Sequence, residues 1–106
     1  MNTIVMYIKL NSDTLQNLKN KMNIYETFIK VYIFGSFLND QVYSNDIDIL
    51  IIYKDYSQEF VMDLDKFKIE LKQLINLPLD LNALSEKEEN DIKFIKRLNN
   101  NYLVLK

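Results

Sequence analysis

The chain has 106 residues, a formal net charge of −2 and a hydrophobic content of 48%, the profile of one soluble domain with a modest core. It has no cysteine and no histidine, which excludes disulfides, thiolate or imidazole metal sites, and Ser-His or Cys-His nucleophile pairs. The acidic balance argues against electrostatic binding of a nucleic-acid polymer, and the short apolar run at the amino terminus is too short to span a membrane and has no basic leader. A cytoplasmic protein is expected, with any catalysis resting on carboxylates, hydroxyls, lysines and Arg97.

In chain order, residues 3–10, TIVMYIKL, are β-branched and aromatic enough for a short strand. NSDTLQNLKNKM follows, with Ser12/Asp13 as a cap and Leu15, Leu18 and Met22 at helical spacing. Residues 29–34, IKVYIF, predict a strand that stops at Gly35-Ser36, and Gly35 is the only glycine of the chain. Residues 46–53, DIDILIIY, predict a second strand, apolar on both faces beyond Asp48 and therefore central in its sheet. From 58 to 75, Phe60, Val61, Leu64, Phe67, Ile69, Leu71, Leu74 and Ile75 mostly follow a helical stripe. Pro78 precedes a short strand, LDLNAL, at 79–84. Ser85 and Glu88 form an S-x-x-E capping box that opens a helix carrying Ile92, Ile95 and Leu98. The tail NNNYLVLK turns and ends as a strand or a packed coil. Helices interleaved among strands predict an α+β fold (an α/β two-layer arrangement) over residues 1–106, a short mixed sheet flanked by helices.

The acidic strand carries the chemistry. Residues i and i+2 of a strand share a face, so Asp46 and Asp48 point side by side. Two carboxylates that close repel unless a cation lies between them or water screens them. Mg²⁺, which takes oxygen ligands, turns such a pair into a site for metal and phosphate. Taken alone, D-x-D also fits a solvated strand end. Gly35-Ser36 ends a strand where backbone N–H groups and a hydroxyl could meet a phosphate, and it also fits an ordinary turn. Asp80 places a charge on an otherwise apolar strand. If that strand lies beside residues 46–53, Asp80 joins the other two acids.

Together, VYIFGSFLND, SNDIDILII and LPLDL resemble the minimal nucleotidyltransferase (MNT) branch of the DNA polymerase β-like nucleotidyltransferase superfamily. Its pattern is hhGSxxxG, a loop, (S/T/N)DxDhhh and a third acid on a later strand. The resemblance implies the polymerase β-like fold, with the Gly-Ser turn and the three acids at one edge of the sheet. It implies two Mg²⁺ ions held by Asp46, Asp48 and Asp80, and phosphates of ATP or another NTP held at Gly35 and Ser36. The reaction it implies moves a nucleotidyl group, AMP first of all, to a hydroxyl with release of pyrophosphate. Asp80 would also help to activate the acceptor.

Stand-alone MNT proteins of this kind resemble the antitoxin of HEPN/MNT toxin–antitoxin pairs, which implies a HEPN-type toxin as partner, a tyrosine of it as acceptor, and a homo- or hetero-oligomer. Two alternatives stay open: an MNT fold that neutralises its partner by contact alone, and a small-molecule nucleotidyltransferase that inactivates an antibiotic. Where many relatives read GSRARG, this chain reads GSFLND, and no basic side chain lies between Val31 and Ile52. Lys54, Lys66 and Lys68 are the candidates to offset phosphate charge. Tyr43, Tyr53 and Tyr56 are candidates for stacking on a base or accepting a nucleotidyl group, and more simply for half-buried sheet positions or interface contacts. Phe34, Phe37, Phe60, Phe67 and Phe94 are most simply core or interface.

Overall fold

The computed structural model describes residues 12–35, 47–75 and 78–106. The strand expected at 3–10, along with Ser36, Phe37, Asn39, Asp40, Tyr43 and Asp46, lies outside them. Helix α1 (Ser12–Lys21) runs into a 3-10 turn, Met22–Ile24. Strand β1 (Phe28–Phe34) and strand β2 (Ile47–Tyr53) follow. Then come helix α2 (Gln58–Leu74), strand β3 (Leu79–Ser85), two short helices, α3 (Glu86–Ile92) and α4 (Phe94–Arg97), and strand β4 (Tyr102–Val104).

The four strands form one sheet in the order β3-β2-β1-β4. β1 pairs antiparallel with β2 and with β4, while β2 pairs parallel with β3. The sheet is therefore mixed, and the fold is α+β. β2 is central, as its double-sided apolar character predicts. Ile47, Ile49, Leu50, Ile51 and Ile52 are all 4% exposed or less. A parallel neighbour needs a crossover, and α2 supplies it between β2 and β3.

α2 starts where Ser57 accepts a hydrogen bond from the Phe60 N–H at 3.1 Å, an N-cap. Its buried stripe is Phe60, Phe67 and Leu71, with Leu64 and Leu74 half-buried beside them. Ile69, expected on that stripe, instead points to solvent at 60% exposure, because it sits two positions from both Phe67 and Leu71, off the helical repeat. The stripe meets Leu18 and Met22 from the α1 side and Ile47, Ile49 and Ile51 of β2, forming the main core. Within it, Tyr25 stacks on Phe28 at 5.1 Å, and Phe67 stands edge-on to both, at 5.3 and 5.5 Å. Each such aromatic ring contributes about 1.5–3 kcal/mol by leaving water, plus about 0.5–1.5 kcal/mol for the ring pairs.

Alternation along β2 sends Asp48, Leu50 and Ile52 to the other face. α3 and α4 fold over that face. Ser85 caps α3 as expected: its hydroxyl accepts from the Glu88 N–H at 3.1 Å, and the Glu88 carboxylate accepts from the Ser85 N–H at 2.9 Å. The single helix expected through Leu98 is instead two. Lys93 has a φ of 53°, in the left-handed region, which interrupts the helical ladder. Glu89 bridges the break. Its carbonyl accepts from the Lys93 N–H at 2.7 Å, and its carboxylate accepts from the Ile95 N–H at 3.3 Å.

Asn99 and Asn100 then turn with φ of 56° and 67°, a region asparagine tolerates, and the chain enters β4. Leu105 closes the core at 4% exposure, and the Lys106 ammonium donates to the Tyr25 carbonyl at 2.6 Å. Among the described residues, no helix is long and apolar enough to cross a membrane.

Candidate active site

Three of the expected site residues lie among the described ones, and all three come together. In β1 against β2, Phe34 is the register partner of Asp48. In β2 against β3, the partner of Asp48 is Asp80. Paired residues of neighbouring strands project to one face, so both carboxylates lie on the face opposite the main core. Their backbones are about 4.8 Å apart, the spacing of paired strands. Asp48 is half-buried and Asp80 is exposed. The condition set by the sequence, that Asp80's strand lie beside the acidic strand, is met.

Gly35 follows Phe34 directly and has a φ of 89°, a conformation open to glycine and strained for other residues. A Cβ built there would overlap Asp48 Oδ2 and lie 3.1 Å from Asp48 Cγ. Thus the only glycine of the chain does two things at once. It lets β1 end in a left-handed turn, and it leaves room for the Asp48 carboxylate against the turn's backbone. This group stands at one end of the strands, the start of β2 and β3 and the finish of β1, with β2 central rather than at a lateral edge.

The second layer on this face is built by topology. α3 starts beside Ser85, which pairs with Tyr53 at the far end of the sheet. β4 starts at Tyr102, which pairs with Phe34 at the acidic end. The segment between them therefore returns along the face and places α4 at the acidic end. There Phe94 meets Phe34 edge-on, ring centroids 5.3 Å apart. Tyr32, two residues before Phe34 on the same face, meets Tyr102 edge-on at 5.2 Å. Burial, then the neighbouring Tyr102 and Glu89, pushes the Tyr32 phenol up, so it stays protonated at neutral pH.

The lysines expected to offset phosphate charge are elsewhere. α2 packs on the main-core face, so Lys66 and Lys68 lie across the sheet from the two acids. Lys68 and Lys72 flank Leu79 and Leu81 in a depression of about 350 Å³ on that side. Lys54 follows Tyr53, six residues beyond Asp48 and so about 20 Å along the strand. Tyr53 is also far from the acids. It stacks on Phe60 at 4.2 Å, with Tyr56 edge-on to both. Phe60 and Phe67 are core, as read from the sequence.

The two acids on one face suit a hard cation, which takes carboxylate oxygens. Among the described residues, no three His, Cys, Asp or Glu side chains converge as a metal cluster; Asp46, the third acid expected, is outside them.

The family described as "Polymerase beta, Nucleotidyltransferase" matches residues 16–105. The chain belongs to this polymerase beta nucleotidyltransferase family. Among solved structures it is similar to a Sulfolobus solfataricus protein described as a candidate nucleotidyltransferase. The two are 24% identical, with 98% of this chain and 86% of that chain covered at a TM-score of 0.48. A comparison with curated proteins finds no match.

Proposed function

We propose that this chain transfers a nucleotidyl group, AMP first of all, from a nucleoside triphosphate to a hydroxyl, with Mg²⁺ as cofactor. The observation that carries the reading is the in-register pairing of Asp48 with Asp80, against which Gly35 opens the only glycine turn of the chain. Membership of the nucleotidyltransferase family supports the reaction class.

In the transfer, the acceptor oxygen bonds to the α-phosphorus while the bond from that phosphorus to the bridging oxygen of the β-phosphate breaks. The acceptor's proton leaves, and pyrophosphate departs with the bridging electrons. Asp48 and Asp80, with Asp46, would hold the divalent ions. When bound, such ions offset the charge of phosphates and carboxylates and stabilise the charge that develops on transfer. Asp80, exposed and on the same face as Asp48, would receive the acceptor's proton. Gly35 brings backbone close to the phosphates, and Ser36 adds a hydroxyl donor.

For the acceptor we propose a tyrosine of a HEPN-type toxin, with this chain as the antitoxin. The sequence resemblance to stand-alone MNT antitoxins supports that partner. A second reading, neutralisation by contact alone, is favoured by the lack of any basic side chain between Val31 and Ile52.

Incubation with α-³²P-labelled ATP, Mg²⁺ and the partner toxin separates the two. Label on the toxin's tyrosine with the wild type, lost in Asp48→Asn at an unchanged unfolding midpoint, is the expected result. Tight binding without label, equally strong in Asp48→Asn, would establish the contact mechanism instead.

A further inference from the structure

The sequence of residues 36–46 contains no lysine or arginine, and Lys54, Lys66 and Lys68 do not face the acids. A nucleoside triphosphate adds several negative charges to a site that already holds Asp48 and Asp80. Beyond what divalent ions would offset, positive side chains at this site have to be supplied by another element on that face.

One element at the acidic end does carry them. Phe94 of α4 packs on Phe34, the register partner of Asp48 and the residue before Gly35. Lys93, Lys96 and Arg97 surround Phe94 in sequence, and all three are exposed. Arg97 lies one turn beyond Phe94, at i+3, so it is the neighbour of that ring along the helix surface. The left-handed Lys93 ends α3 and folds the backbone into a depression of about 370 Å³ lined by Asp91, Ile92, Lys93, Lys96 and Arg97. Lys93, Lys96 and Arg97 outnumber the carboxylates of Asp91, which lines the depression, and Glu89, which bonds across the break, so the notch is positive in a chain of net charge −2. Arg97 is the only arginine of the chain, and its planar fork suits phosphate oxygens.

We infer that the notch at the α3–α4 break, with Arg97 and its neighbours Lys93 and Lys96, clamps the β- and γ-phosphates of the nucleotide whose α-phosphate lies at Asp48 and Asp80. The inference rests on the nucleotidyl-transfer reading above. It assigns the charge-neutralising role to the helix that closes over the sheet rather than to the glycine turn.

The test is titration of the full chain with Mg²⁺ and α,β-methylene-ATP, which binds without transfer, and with AMP. Four proteins are compared: wild type, Lys93→Ala/Lys96→Ala/Arg97→Ala, Lys66→Ala/Lys68→Ala/Lys72→Ala, and Asp48→Asn. The second triple variant loses the same charge from the other face. The altered lysines and arginine are exposed, so circular dichroism and the unfolding midpoint are expected to match wild type. The notch variant is expected to bind the triphosphate analogue about tenfold or more weakly, the effect of losing one or more charge-assisted hydrogen bonds, with AMP affinity little changed. The α2 variant is expected to stay within about threefold of wild type for both.

Equal weakening in both triple variants would show diffuse charge and overturn the clamp. A notch variant that binds like wild type, while Asp48→Asn loses Mg²⁺-dependent binding, would overturn the clamp and leave the transfer reading standing. A wild type that takes up no analogue would overturn both.

Discussion

Gly35 is the residue on which backbone and chemistry meet. Its φ of 89° and the Asp48 carboxylate against its α-carbon leave no room for a side chain. Gly35→Ala is expected to cost about 1–3 kcal/mol in urea unfolding, from left-handed strain and displacement of Asp48. It is also expected to weaken Mg²⁺–nucleotide binding. Unchanged stability would mean that the turn relaxes freely. The sequence made this position conspicuous, because a lone glycine at the end of a strand requires a reason. It could not show that the reason includes a carboxylate thirteen residues on, since only the register of β1 against β2 brings the two together.

Tyr25 gives a second test at this scale. It is fully buried, and its hydroxyl has no hydrogen-bond partner among the described residues. Burial first, then the Glu70 carboxylate, near the hydroxyl though outside hydrogen-bonding geometry, and last the charge of Asp63 push the phenol well above its ordinary value near 10. The folded state thus keeps its proton where the unfolded chain gives it up. The stability this contributes is fully present below about pH 10 and falls by up to about 1.4 kcal/mol per pH unit above it. Tyr25→Phe is expected to change stability at pH 7 by about 1 kcal/mol or less, since the burial cost of the hydroxyl is offset only in part by the nearby Glu70 carboxylate. It is also expected to flatten the alkaline loss relative to wild type in unfolding measured from pH 9 to 11.

At the scale of elements, most of the secondary structure is legible in local pattern. β2, α2 and the start of α3 follow from a double-sided apolar run, a 3.6-residue stripe and an S-x-x-E cap. The division of the last helix at Lys93 is not legible, because lysine carries no left-handed signal. The break is imposed by Glu89 bonding across it and by Phe94 seating on Phe34. The capping box is then important, since α3 has no buried residue to hold it. Ser85→Ala is expected to cost about 1 kcal/mol. Amide exchange should accelerate first in residues 86–92 and only slightly in β2. Uniform acceleration across the sheet would show that α3 is not the weak segment.

For the molecule as a whole, the core joins α1, α2 and one face of β2 through a cluster of aromatic rings. Phe67→Ala empties the space beside the stacked rings of Tyr25 and Phe28 and is expected to lower stability by about 3–5 kcal/mol, with a matching fall in the urea midpoint. The composition predicted such a core, and the interleaved helices and strands predicted the mixed sheet. What the sequence left open was the neighbour of β2 on each side. Asp80 depends on that choice, because only a parallel β3 in this register makes it a companion of Asp48. The position of α4 depends on it as well. The sequence offered Lys54, Lys66 and Lys68 as sources of positive charge, whereas the path of the chain sends the helix carrying the last two to the opposite face and leaves Lys54 at the far end of the strand.

The pairing of Asp48 with Asp80 also constrains how the gene can vary. The Ile47 N–H donates to the Pro78 carbonyl at 3.0 Å and anchors the first rung between the two strands. Because faces alternate, sliding β3 by a single position would turn Asp80 inward and push Leu79 or Leu81 out. Point changes on the exposed side of the crossover leave that register intact. A one-residue insertion or deletion between 54 and 78 can be tolerated only if the added or missing length is taken up before the strand begins.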